Sequence, residues 1–160
     1  MESVAFSPVT QTETLDVQPR QKRLFIGVPR ETILQENRVA LVPHSVSSLV
    51  AHGHRVVVEA GAGERAKYAD YDYSEAGAEI VHSREEVFKA DVLLKIAPPT
   101  LEEIDLMKPN QVLFSPIHLP LIQPEYITKL QKKRVIALAM EYLRDDTTGI
   151  YPVVHIMSEI

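Results

Sequence analysis

Short apolar runs, separated by stretches of helical periodicity, set narrow limits on the fold of this chain. The runs fall at 24–28, 55–59, 79–81, 92–95, 111–115 and 135–138. Most are almost continuously apolar, as in Val56-Val57-Val58 and Val92-Leu93-Leu94. A sheet with one wet face would alternate apolar and polar residues. Continuous runs of this length belong to strands covered on both faces, as in a parallel sheet held between helices. The intervening segments supply the helices. At 45–52, Val46, Leu49 and Val50 share one face and Gly53 follows as a stop. Segments 85–89 and 101–107 are shorter, the second with Glu102 and Glu103 in its first turn. Segment 123–133 has Pro124 at the first helical position and Lys132 and Lys133 at the end, as the helix dipole prefers.

This alternation predicts an α/β fold: a Rossmann-like (flavodoxin-like), mostly parallel sheet with helices on both faces and right-handed crossovers. A chain of 160 residues is long enough for one domain with a substantial core. Residues 1–23 are rich in Ser, Thr, Gln and Pro and lack an apolar stretch. They are expected to be a flexible N-terminal extension and not a secretion signal, leaving 24–160 as the folded domain. The net charge of -5 points away from nucleic acid and from anionic membrane surfaces. The longest apolar run, 135–140, is strand length, well short of the roughly 18 residues a membrane span needs. With no Cys, disulfides, thiolate metal ligands and thiol nucleophiles are excluded, and the expected location is the cytoplasm. His44, His52, His54, His82 and His155 have no spacing that predicts a metal site.

Gly61-x-Gly63-x-x-Ala66 follows the apolar run 55–59 and has the outline of a dinucleotide-binding fingerprint. That motif also requires a helix starting at the loop and an acid about 20 residues on, at the end of the next strand. The segment after the loop, Glu64 to Tyr73, shows no apolar helical stripe, and the run 79–81 ends in His82-Ser83. The expectation is a tight turn, not a pyrophosphate cradle.

Ligands of open parallel sheets bind beyond the carboxyl ends of the strands. Three residues follow predicted strand ends: Arg38, Lys95 and His118. An arginine fork grips a carboxylate, an ammonium polarises a carbonyl, and an imidazole moves a proton near neutral pH. Together they suit a small carboxylate that bears a carbonyl. Each also has a plainer reading: Arg38 as a surface ion pair with Glu36, Lys95 as a lysine whose stem alone is buried, His118 as a loop histidine. The acidic pairs Glu85-Glu86, Glu102-Glu103 and Asp145-Asp146 read as solvated faces and turns.

Several motifs in fixed order carry a family resemblance. They are 25-FIGVPRET-32, 36-ENRVALVP-43, Gly53-His54, 58-VEAGAG-63, Tyr73-x-x-Ala76-Gly77-Ala78 and 93-LLKI-96. The sequence resembles the N-terminal domain of the alanine dehydrogenase and pyridine-nucleotide transhydrogenase family over nearly everything from Leu24 to Ile160. Ile117-His118-Leu119 and 155-HIMSEI-160 resemble the alanine dehydrogenase branch, while the transhydrogenase pattern Pro-Arg-Ile-Ser-Arg-Ala-Gln is missing.

The resemblance implies the substrate domain of an NAD-dependent amino-acid dehydrogenase interconverting L-alanine and pyruvate. NAD would be bound mainly by a second domain, which also holds the catalytic aspartate. Arg38 and Lys95 would hold the substrate carboxylate and carbonyl, and His118 would transfer a proton or polarise the carbonyl. Met157 would pack beside the substrate and Ser158 would touch the cofactor. The family further implies a homo-oligomer. Two departures stand out: Leu41-Val42-Pro43 where Leu-Thr-Pro is usual, and His155-Ile156 where Ala-Pro is usual before Met-Ser-Glu. Ile160 falls where the family continues, so a domain-sized piece of a longer protein, inactive alone, is expected. A transhydrogenase alpha-subunit domain, a lysine- or saccharopine-type dehydrogenase and a non-catalytic regulatory domain are the alternatives.

Overall fold

A computed structural model describes residues 22–118 and 123–158, with the side chains of the last helix described through Ile156. The proposed N-terminal extension lies outside the described residues, apart from its last two positions. The described chain runs β1 (Phe25–Val28), α1 (Pro43–Ala51), β2 (Arg55–Glu59), α2 (Asp70–Glu75), β3 (Glu79–Val81) and α3 (Arg84–Val87). It continues through β4 (Val92–Leu94), α4 (Leu101–Leu106), β5 (Val112–Ser115), α5 (Pro124–Lys133), β6 (Ile136–Ala139) and α6 (Pro152–Ser158). Single 3-10 turns occupy Glu64–Ala66 and Met140–Tyr142.

The six strands form one sheet in the order β3-β2-β1-β4-β5-β6, and every pairing is parallel. The winding direction reverses between β1 and β4, which opens the crevice at the carboxyl edge where doubly wound sheets take ligands. The continuous apolar runs are explained by two cores, one on each face. Val57, Phe88, Leu93, Ile104, Met107 and Leu113 pack on one side. Ile26, Val28, Val46, Val56, Val58 and Tyr73 pack on the other. Successive residues of β2 therefore face opposite cores, and burying each side chain contributes roughly 1.5–3 kcal/mol. Gly27 lies where α3 approaches the sheet; a Cβ there would stand 2.7 Å from the carbonyl oxygen of Val87.

Two expectations need correction. β6 is not covered on both faces: Ile136 is 53% and Leu138 45% exposed, because β6 forms the sheet edge. The segment after Gly63 does contain a helix, α2, despite lacking an apolar stripe. Its start is held by Asp72, whose carboxylate accepts from the Ala69 amide at 2.8 Å, and Asp70 and Asp72 both complement the first turn. Its anchor is one residue, Tyr73, fully buried with its hydroxyl donating to the Leu41 carbonyl at 2.8 Å.

α1 lacks a side-chain cap at Val42, and Ser45 does not replace it. Pro43 at the first helical position costs nothing there, since that N–H has no helical partner in any case.

Candidate active site at the carboxyl edge of the sheet

Because all strands are parallel, the segments bearing Arg38, Lys95 and His118 leave the sheet at the same edge. Arg38 follows β1, Lys95 directly follows β4, and His118 lies three residues past β5. Lys95 is the buried one of the three. Lys95 Nζ donates to Glu31 Oε2 at 2.9 Å and to Glu103 Oε1 at 3.2 Å. Glu36, through its side-chain hydrogen bond and its charge, holds the Arg38 guanidinium above its ordinary value against burial, with the smallest push coming from Glu31.

Lys95 is only 1% exposed. It is neither a snorkelling lysine nor open to solvent, and two of its three N–H bonds are taken by buried carboxylates. The network extends further. Arg84 donates to Glu103 at 3.0 Å, to Glu59 at 3.2 Å and to the Arg30 carbonyl at 2.8 Å. Glu59 in turn accepts from the Arg30 amide at 2.8 Å. Glu31 Oε1 accepts from the Ile96 amide at 2.7 Å. The ends of β1, β2 and β4 are thus tied together by three carboxylates around two cations, each charge paired as burial demands.

Arg38 forms the predicted ion pair with Glu36. Nε donates at 2.9 Å and Nη2 at 2.7 Å to the two carboxylate oxygens, the bidentate geometry that a substrate carboxylate would also use. That pair holds Glu36 below the usual carboxylate range. The Arg38 side chain remains 40% exposed, and its Nη1 has no hydrogen-bond partner among the described residues.

His118 is exposed and lines a cavity of about 400 Å³ together with Leu101, Ile117 and Tyr126. Its backbone is left-handed, with φ 51°. The Glu141 carboxylate, just after β6, accepts from the amides of Ile117 at 2.9 Å and His118 at 2.8 Å. Burial pushes Glu141 upward, but the backbone amide bonds outweigh it and leave the carboxyl below its ordinary range. The buried Tyr126 hydroxyl has no hydrogen-bond partner among the described residues, and burial pushes its titration upward. Met157 and Ser158 belong to α6; their side chains lie outside those described.

The Gly61-x-Gly63 turn does not fit a pyrophosphate. The Gly61 amide, at φ +74°, donates to Asp70 Oδ1 at 2.8 Å, so the chain's own carboxylate holds the N–H a phosphate would need. At Gly63 the space of a Cβ is already filled, 2.5 Å from Tyr73 Cε2 and 2.8 Å from the Tyr68 carbonyl oxygen. Among the described residues, no His, Asp or Glu group is arranged to hold a metal ion, and no helix is long and apolar enough to cross a membrane.

Residues 27–160 match the family described as alanine dehydrogenase/PNT, N-terminal domain. The chain belongs to this family. It is 39% identical over 137 residues to alanine dehydrogenase of Bacillus subtilis (strain 168), covering 86% of this chain and 35% of that protein. Alanine dehydrogenase of Methanococcus maripaludis is 37% identical over 138 residues, covering 86% of this chain and 36% of the relative. Among solved structures, an L-alanine dehydrogenase superposes with a TM-score of 0.78 at 38% identity, covering 83% of this chain and 36% of that one. A transhydrogenase from Sinorhizobium meliloti gives a TM-score of 0.69 at 32% identity, covering 76% of this chain and 35% of its own. The chain therefore spans about a third of the length of the relatives it matches.

The parallel sheet of this alanine dehydrogenase/PNT domain agrees with the fold read from the sequence. What that reading missed is the acidic half of the site. The local sequence makes Glu103 half of a solvated acidic pair, yet it is 3% exposed. Thr100-x-x-Glu103 is a capping box, with Thr100 Oγ1 accepting from the Glu103 amide and Glu103 accepting from the Thr100 amide; that pattern was a visible signal. Glu31, Arg84 and Glu141 offered none, since their partners lie 64, 25 and 24 residues away.

Proposed function

We propose that this domain forms the substrate side of an NAD-dependent alanine dehydrogenase, in which L-alanine, NAD and water give pyruvate, ammonia and NADH. The reading rests chiefly on the identity shared with proteins named alanine dehydrogenase over most of the chain. The common exit of Arg38 and His118 at the carboxyl edge supports it. The glycine turn does not fit the cofactor, so NAD is assigned to a further domain and the isolated chain is expected to be inactive.

Arg38 grips the substrate carboxylate. The bidentate bond it makes to Glu36 is the interaction a substrate exchanges for, or shares with, that residue. His118 holds or moves a proton near the substrate carbonyl. Lys95, whose Nζ has one N–H beyond the two given to Glu31 and Glu103, holds the substrate carbonyl beside the carboxylate that Arg38 grips. Met157 is assigned to packing beside the substrate and Ser158 to the cofactor, on the family resemblance alone. Homo-oligomeric assembly in the cytoplasm completes the proposal.

The test is alanine-dependent NADH production by the full-length protein. Replacement of His118 by Ala is expected to lower kcat by about a hundredfold or more, the usual worth of a positioned proton-transfer group. Unchanged activity removes His118 from the site. The similarity to the Sinorhizobium meliloti transhydrogenase supports a second reading, as a transhydrogenase-type domain. Turnover between two nicotinamide nucleotides with none on alanine would select it, and activity on a longer amino acid would instead select a lysine- or saccharopine-type enzyme.

A further inference from the structure

We propose that Glu141 is a positioning residue for His118, holding the His118 backbone in its left-handed conformation through the two amides that its carboxylate accepts. The inference rests on the reading of His118 as a reacting group.

A non-glycine residue at φ 51° is disfavoured because its Cβ crowds the following carbonyl, by about 1–2 kcal/mol. It persists only where the surroundings over-determine it. Here the visible restraint is Glu141. One carboxylate receives Ile117 N–H at 2.9 Å and His118 N–H at 2.8 Å, and successive amides converging on one point make an anion-binding concavity. The sheet puts the two segments together: Ser115 is in register with Ala139, so the chain past β5 and the chain past β6 leave side by side. The tight Met140–Tyr142 turn then places Glu141 against them. Both bonds are charge-assisted, and the amides hold the Glu141 carboxyl in its ionised form. Among the described residues neither imidazole nitrogen has a hydrogen-bond partner, so the carboxylate orients the residue through its backbone.

Amide hydrogen exchange and activity separate the possible failures. In the labelled chain, Glu141→Ala is expected to speed exchange of the Ile117 and His118 amides by about tenfold or more, the effect of losing one charge-assisted hydrogen bond. Leu113, in the adjoining strand, keeps its protection and reports that the fold is intact. In the full-length protein, Glu141→Ala lowers kcat by about tenfold with KM changed less, as expected of a residue acting through a catalytic group's orientation. Glu141→Gln, which keeps the shape and one acceptor, recovers part of both losses and serves if the alanine variant misfolds. Unchanged exchange at both amides, or unchanged kcat where His118→Ala is inactive, overturns the positioning role and leaves the function standing. If His118→Ala is itself fully active, the reading of His118 as a reacting group falls and the positioning role with it, whatever the exchange shows, while the dehydrogenase function stands.

Discussion

Glu31 and Lys95, 64 residues apart in the chain, form a buried ion pair of 2.9 Å across the point where the sheet reverses its winding. Glu31 stands three residues past β1 and Lys95 immediately past β4, so one contact joins the two strand ends that frame the crevice. Burying a pair does not by itself stabilise a fold, because desolvation offsets the attraction. Removing one partner is different, since it strands the other charge without water.

Lys95→Met is therefore expected to destabilise the domain by roughly 3–5 kcal/mol, the range for breaking a buried pair. Urea unfolding at neutral pH measures it as a lower midpoint with the same slope. Adding Glu31→Gln to that variant should recover part of the loss. A midpoint unmoved in Lys95→Met would mean the pair is not buried as described.

Gly63→Ala tests the turn that resembles a nucleotide loop. A Cβ at Gly63 meets Tyr73 Cε2 at 2.5 Å and the Tyr68 carbonyl oxygen at 2.8 Å, and overpacking of this kind costs about 1–3 kcal/mol. The expected result is a lower melting temperature, with the Michaelis constant for NAD in the full-length protein unchanged. A selective loss of NAD affinity would restore the pyrophosphate reading.

Val42→Thr should stabilise the domain. Val42 sits at the N-cap of α1 without a side-chain bond, and a Thr hydroxyl there can accept an amide of the first turn, worth about 0.5–2 kcal/mol. A rise in the melting temperature supports this; a fall would show that the site cannot orient the hydroxyl.

Acid sensitivity follows from Glu36 and Glu141. Arg38 chiefly lowers the first, and backbone amides lower the second against the upward push of burial. The unfolded state then binds more protons than the folded state as pH drops below the ordinary carboxylate range. Their stabilisation is complete above that range and is lost as pH falls through the lowered folded values. Unfolding midpoints should hold steady above about pH 6 and decline below about pH 5. Glu36→Gln and Glu141→Gln should each make that decline shallower.

Much of the fold was legible in the order of residues. Continuous apolar runs such as Val56-Val57-Val58 require cover on both faces, and that requirement alone leads to a parallel sheet between helices. The glycine turn could be rejected as a cradle because a fingerprint needs its neighbours as well as its glycines. α2 escaped notice because its stability comes from Asp72 at one end and a single buried tyrosine, not from a periodic stripe. β6 misled because its apolar residues look like core in the sequence, while exposure depends on a position at the sheet edge.

The sequence by itself determined the α/β class, the strand positions and the placement of Arg38, Lys95 and His118 after strands, since these depend on local pattern and on the shared direction of parallel strands. Only the tertiary structure decided the strand order, the burial of Lys95 between Glu31 and Glu103, and the grip of Glu141 on the His118 amide. The reason is physical. A charged residue reads as solvent-exposed until a partner distant in the chain is folded against it, and hydrogen bonds between strand ends have no periodicity along the chain to reveal them.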